Sequence, residues 1–154
     1  MRSFYEVTDK MRELLLADGD IHVVSFGDPN EVDWDKQTVF PLAHVVPGSA
    51  TLRGSTTVLS FDIALVDKVN QTREEDRDQH KPFQGSDNTQ DILNTQLAVA
   101  IRLREEFRRG DTWDLGYDVE VDWSAAPLMD SYTNLLAGWV ISMDVIVPNN
   151  LMCL

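Results

Sequence analysis

Cysteine is almost missing from this chain of 154 residues. The one present, Cys153, excludes an intramolecular disulfide and a cysteine-rich metal site, and it makes a reducing cytoplasm the expected compartment. Basic residues are scarce as well: 13 Lys and Arg stand against 26 Asp and Glu, a formal charge of −13 spread along the chain. Such a field repels phosphate backbones, so duplex nucleic acid is not expected on the average surface, although DNA can pass an acidic channel without sticking. The acid excess serves solubility in any case. No apolar run approaches the roughly 18 residues needed to span a bilayer. The start, MRSFYEVTDKMRELLL, places acids where a secretion signal needs its apolar core. Neither a membrane span nor export by that route is expected.

Chemistry-bearing motifs are also lacking. No G-x-x-x-x-G-K-[ST], G-x-G-x-x-G or G-x-S-x-G pattern occurs, so phosphate cradles and a nucleophile elbow have no support. His22, His44 and His80 show no H-x-x-x-H or H-E-x-x-H spacing. His22 and His44 read as sheet positions and His80 as a solvated loop residue. Glu74, Glu75, Asp76 and Asp78 alternate with Arg73 and Arg77 outside the register of a calcium loop, and read as a self-paired polar loop. Cys153, on a terminal tail, has no base or helix N-terminus near it in sequence to activate a thiolate. No catalytic residue, metal ligand or cofactor site is assigned.

What is present is a foldable pattern. The composition, 43% hydrophobic and 25% charged, with four Trp, three Tyr and six Phe, supplies the apolar surface that a packed core requires. One domain over 1–154 is expected, with a long polar loop at 70–88 and an apolar tail at 148–154. Ser3 and Glu6 have the form of a capping box, and Phe4, Val7, Met11, Leu14 and Leu15 recur on one helical face up to a stop at Asp18-Gly19. A strand is expected over 21–26. Residues 39–46 read as an edge strand or bulge because of Pro41, followed by a turn at Pro47-Gly48. Strict alternation from 56 to 69 predicts a long half-buried strand.

A second helix is expected from Asn88 to Arg109, with Asp91 near its positive end. Its apolar positions, Ile92 to Phe107, cover about half the circumference, more than the roughly 100° stripe of a simple surface helix. The helix should therefore pack on the sheet and touch something else. Residues 117–123 alternate as a strand, 125–134 read as turn, and 136–147 form the last strand, with Trp139, Ile141, Met143, Val145 and Val147 on one side. The expected class is α+β: a mostly antiparallel β-sheet with two α-helices packed against it.

Two surfaces suggest assembly. Arg102, Arg104, Arg108 and Arg109 give the second helix a basic end. This either serves the helix C-terminus and pairs with Glu105 and Glu106, or docks an acidic surface of an identical subunit. The tail Leu151, Met152, Cys153 and Leu154 places apolar side chains after a strand terminator, where they either fold back or clasp a neighbouring subunit.

The capped first helix, the strand LSFDIALVDKV, the charged connector leading into DNTQDILNTQLAVAIRL and the closing AGWVISMDVIVP resemble the tail terminator, or tail-completion, proteins of tailed bacteriophages. The likeness runs over roughly residues 3–148 and lies in element order and polarity. It implies an α+β subunit of a hexameric ring that caps the head-proximal end of the tail and joins it to the neck. Catalysis and cofactors are not implied. The implied partners are other copies of the chain, tail tube proteins and neck or head-closure proteins. DNA would only pass through the lumen, and no membrane is involved. The implied location is the virion, assembled in the host bacterial cytoplasm. Within this setting the loop residues Arg73, Glu74, Glu75, Asp76, Arg77 and Asp78 are candidates for contact with a neighbouring tail or neck protein. Arg102, Arg104, Arg108, Arg109, Leu151, Met152 and Leu154 are candidates for the subunit interface. Another connector or tube protein, a small-molecule-binding domain or enzyme with tryptophans lining a pocket, and an adaptor that folds its loop on a partner remain open alternatives.

Overall fold

The computed structural model describes residues 3–28, 39–69, 89–109, 118–119, 122–131 and 136–149. The elements run α1 (Ser3–Ala17), β1 (Val23–Phe26), β2 (Leu42–Leu52), β3 (Thr56–Lys68), α2 (Thr89–Arg109), β4 (Asp118–Val119), β5 (Ser124–Ser131) and β6 (Leu136–Pro148). Among the described residues six strands form one sheet in the order β1-β2-β3-β6-β4, with β5 also paired to β6. All pairings are antiparallel except β1 with β2. The class is α+β, as the periodicities predict.

Alternation along the strands sorts the two faces. Phe61, Ile63 and Leu65 of β3 pair with Met143, Ile141 and Trp139 of β6, so the odd-numbered residues of both strands share one face. They form one core with Val7, Met11 and Leu15 of α1 and Val99, Leu103 and Phe107 of α2. The spacing of four between Val7, Met11 and Leu15 places them one above another on one helix face, and all three are buried. The opposite face of the sheet is more polar. There the Ser60 hydroxyl donates to Asp144 at 2.6 Å and the Ser142 hydroxyl to Asp62 at 2.8 Å, each across a directly registered pair.

Three expectations are corrected. Pro47-Gly48 does not turn the chain: β2 continues to Leu52, absorbing the irregularity as a register shift between Pro47 and Ala50, since a bulge accommodates a residue that cannot donate to the ladder. Residues 42–45 are not an edge either, because β1 pairs alongside them in parallel. Pro41, which suggested the edge, lies just before the strand, after a cis Phe40–Pro41 bond. Finally, of the turn expected over 125–134, residues 125–131 belong to strand β5, a hairpin partner of β6 from Ser124↔Ser142 to Ser131↔Leu136, and 132–134 lie outside the described residues. Their run of alanine, proline and serine hides the strand from propensity. Pairing with a strongly apolar neighbour supplies what propensity lacks.

One buried position breaks the pattern. Gln96 is fully buried on the core face of α2, and neither amide atom has a hydrogen-bond partner among the described residues. A buried unsatisfied amide costs on the order of 1–3 kcal/mol, whereas an apolar side chain of similar shape carries no such penalty. Gln96→Leu is expected to raise stability by about 1 kcal/mol or more, read as a higher urea midpoint at unchanged slope. A lower midpoint would show that the amide is satisfied in solution.

Candidate functional site

The arginines of α2 are engaged within the chain itself. The Arg102 guanidinium reaches the turn after α1, donating to Asp18 at 2.8 and 2.9 Å and to Asp20 at 2.8 Å. Desolvation pushes the Asp18 carboxyl up, but the hydrogen bond from Arg102, the N–H of Asp20 and the charge of Arg102 outweigh it. Together they hold Asp18 below its ordinary 3.8. The hydrogen bond to Asp18 likewise raises Arg102. Arg108 and Arg109 reach Glu105 at 3.6 Å from three and four residues on, the spacings that pair on a helix surface, and its sequence neighbour Arg104 lies 3.5 Å away. The loop candidates Arg73, Glu74, Glu75, Asp76, Arg77 and Asp78, the tail candidates Leu151, Met152 and Leu154, and His80, Cys153, Trp34 and Trp113 lie outside the described residues.

Because the folded-state pKa of Asp18 is depressed, the stability it contributes is fully present above 3.8 and is lost as pH falls through the lower folded value. Arg102→Met is expected to lower stability by about 1 kcal/mol at neutral pH, a half-exposed pair being worth little more than a surface one. Thermal melting of the variant and the parent should converge below pH 3.8. A gap independent of pH would assign the loss to packing. Elsewhere, burial raises the Asp67 carboxyl above its ordinary value, against the Lys68 N–H bond and the charge of His22, which lower it.

His44 is buried in β2, as a sheet position should be, while the exposed His22 lies just before β1 and bonds the Phe40 carbonyl at 3.0 Å. His44 Nε2 lies 3.1 Å from the Asp28 carbonyl, which can only accept, so Nε2 carries the proton. Nδ1 then accepts from the Ser25 hydroxyl at 2.7 Å. No local pattern announces this pair, which only the parallel register Ser25↔His44 creates. With His44 only 1% exposed, the pair fastens β1 to β2. Among the described residues no group of three or more His, Cys, Asp or Glu could hold a metal ion, and no helix there is long and apolar enough to cross a membrane.

The clearest unspent surface is apolar. On α2 the residues that face the sheet are Ile92, Gln96, Val99, Ala100, Leu103 and Phe107. Leu97 and Ile101, one turn apart on an adjoining face, are 36% and 57% exposed. They border a groove of about 100 Å3 lined also by Ala100, Ile141 and Arg104 and, at the start of β5, by Trp123, Ser124 and Ala125. Trp123 leans on Phe107, with ring centroids 6.3 Å apart, and its indole N–H is buried with no partner among the described residues. Farther along β5, Met129 is 56% exposed. From Trp123 to Met129 no residue is charged. The broad apolar arc of α2 led to the expectation of a second contact, and the exposed Leu97 and Ile101 lie on that arc; the contribution of β5 was missed because 125–134 read as turn.

A second cleft, of about 250 Å3, lies between α1 and α2, bordered by Leu14, Ala17, Asp18 and Arg102. It falls below the roughly 300–1,000 Å3 usual for small-molecule sites, and the Arg102 ion pair at its edge explains the polar lining. No protein-family model matches the chain, and no curated protein matches it in sequence.

Proposed function

We propose that this chain is a structural subunit that works by associating with copies of itself, as the tail terminator proteins it resembles do. In that role it forms a ring, hexameric by the resemblance, at the head-proximal end of a bacteriophage tail, between the tail tube and the neck or head-closure proteins. The observation that carries the reading is the apolar strip of Leu97, Ile101 and Trp123 beside the uncharged run Ser124 to Met129, a groove lined by Arg104 but by no acid, on a chain of charge −13. Copies of so acidic a protein repel one another over most of their surface, so contact between them needs faces without acids. Apolar area left in water forgoes about 25 cal/mol per Å2, which association recovers. The remaining acid excess suits a lumen wall that DNA slides past without binding. No catalytic step is assigned to the chain.

Negative-stain imaging of the purified protein and peptide counting in purified tailed particles test the proposal. A sixfold ring with a central hole and about six copies per particle by that resemblance are the expected results. Absence from particles, together with a monomer at high concentration, would sink it.

A further inference from the structure

We infer that the groove between α2 and β5 receives the segment 150–154 of a second copy of this chain, with Leu151, Met152 and Leu154 as the side chains that cover Leu97, Ile101 and Trp123. The inference rests on the reading of the chain as a self-assembling subunit and names the two surfaces that meet.

The chemistry of the groove narrows its occupant. Its lining is apolar apart from Ser124 and Arg104 and holds no carboxylate, while the exposed Asp122 stands next to Trp123 in the chain. A basic segment would be set against Arg104 and an acidic one against Asp122, whereas an uncharged segment meets neither repulsion. Room is limited as well. A groove of about 100 Å3 holds about three waters at roughly 30 Å3 each, or the aliphatic end of one side chain. Further apolar side chains of the occupant must lie along the exposed Leu97 and Ile101 beside it.

One segment has that composition. Outside the described residues, 1–2, 29–38, 70–88, 110–117 and 120–121 all carry charge. Residues 132–135 are uncharged, but they join β5 to β6 within one copy. That leaves 150–154, where Leu151, Met152, Cys153 and Leu154 follow one another with no charge among them. Methionine, unbranched and polarizable, suits an irregular groove. Among the described residues Leu52 is the most exposed large hydrophobic, but its neighbour Arg53 has the wrong sign for a groove lined by Arg104.

The contact is between copies because the segment cannot reach its own groove. Asn149 is held at the β2–β3 hairpin: its amide donates to the carbonyls of Arg53 and Gly54 at 3.2 and 3.4 Å, and its backbone N–H donates to the Ser55 carbonyl at 3.0 Å. The groove lies farther back along β6, where Ala125 pairs with Ile141. Ile141 and Asn149 are about 26 Å apart at the usual rise per residue. The residues from Asn149 to Leu154 extend over at most about 18 Å. Each copy therefore gives its tail to one neighbour and takes the tail of another. The contact joins unlike surfaces, head to tail, the arrangement that closes into rings.

Size-exclusion chromatography with light scattering, under reductant so that Cys153 stays a thiol, tests this on three proteins. They are the wild type, Ile101→Asp, and a variant carrying Leu151→Ser, Met152→Ser and Leu154→Ser together. Each variant alone should be monomeric at concentrations where the wild type is oligomeric. Mixed, they should give a 1:1 dimer and nothing larger, because only the tail of Ile101→Asp and the groove of the serine variant are intact. A labelled peptide of residues 147–154 should bind the serine variant, and should no longer bind it once Ile101→Asp is added. As monomers the two variants should melt at the same temperature; earlier melting of the serine variant would place the tail on its own core and overturn the inference. If either variant assembles like the wild type, or their mixture stays monomeric, this contact is wrong while self-assembly stands. A wild type that is monomeric throughout overturns the assembly reading itself, and the inference with it.

Discussion

Gly138→Ala should cost about 3 kcal/mol or more, the upper end of what inserting one methyl group into a packed interior does, and leave much of the chain unfolded on mild heating. An alanine Cβ at this position would sit 1.8 Å from the Leu65 carbonyl oxygen, 2.8 Å from the Leu65 carbonyl carbon and 2.9 Å from the Val66 Cα. All three are backbone atoms of β3, which is paired on both sides, by β2 and by β6. No side chain can swing away, so the strand itself must shift and disturb two ladders. A Cβ added at Gly19 or Gly54 would meet nothing within 4 Å, and alanine at either position serves as the control. Urea unfolding followed by tryptophan fluorescence reads the difference. A Gly138→Ala midpoint equal to that of the Gly54→Ala control would mean that β3 and β6 are spaced otherwise in solution.

Phe107→Ala should cost about 3–5 kcal/mol, the usual range for removing a buried aromatic ring. Phe107 has no exposed surface and stands in the last turn of α2, where its ring supports Trp123, the wall of the apolar groove. The loss should therefore be double: lower stability and, at temperatures where the variant is still folded, weaker self-association. Phe107→Leu, which keeps most of the volume, should recover most of the stability. If stability falls but association per folded molecule is unchanged, Trp123 does not shape the assembly surface. If stability is unchanged, the α2–sheet packing is not as described.

The long amphipathic elements were legible from the residues alone. Apolar side chains at helical spacing defined α1 and α2, and period-two alternation defined β3 and β6, because each pattern repeats for several turns or pairs and a face without partners in water is expensive. The wide apolar arc of α2 led to the expectation of a contact beyond the sheet, without telling which of its residues, Leu97 and Ile101, would remain outside the core. The basic end of the same helix was legible only as a list of arginines. That Arg102 is committed to Asp18 and Asp20 depends on α1 ending beside α2, which no local pattern encodes.

The candidate site divides in the same way. Its helical half, Leu97 and Ile101, was visible in the periodicity; its strand half, Trp123 to Met129, was not, since SAAPLM carries the residues of a turn and becomes a strand only beside β6. The β2–β3 hairpin was likewise cut in two by Pro47-Gly48, a turn signal overridden by pairing with β3 on both sides of the bulge.

By itself the sequence determined what the protein lacks, cysteine pairs, basic charge and motifs for chemistry, and with them the α+β class and the faces of its longest elements. Only the tertiary structure decided which strands pair, where the uncharged edges lie and which polar groups are satisfied. The physical reason is range: periodicity and charge are properties of neighbouring residues, whereas strand register and ion pairs join groups as far apart as Asp18 and Arg102, whose meeting depends on every element between them.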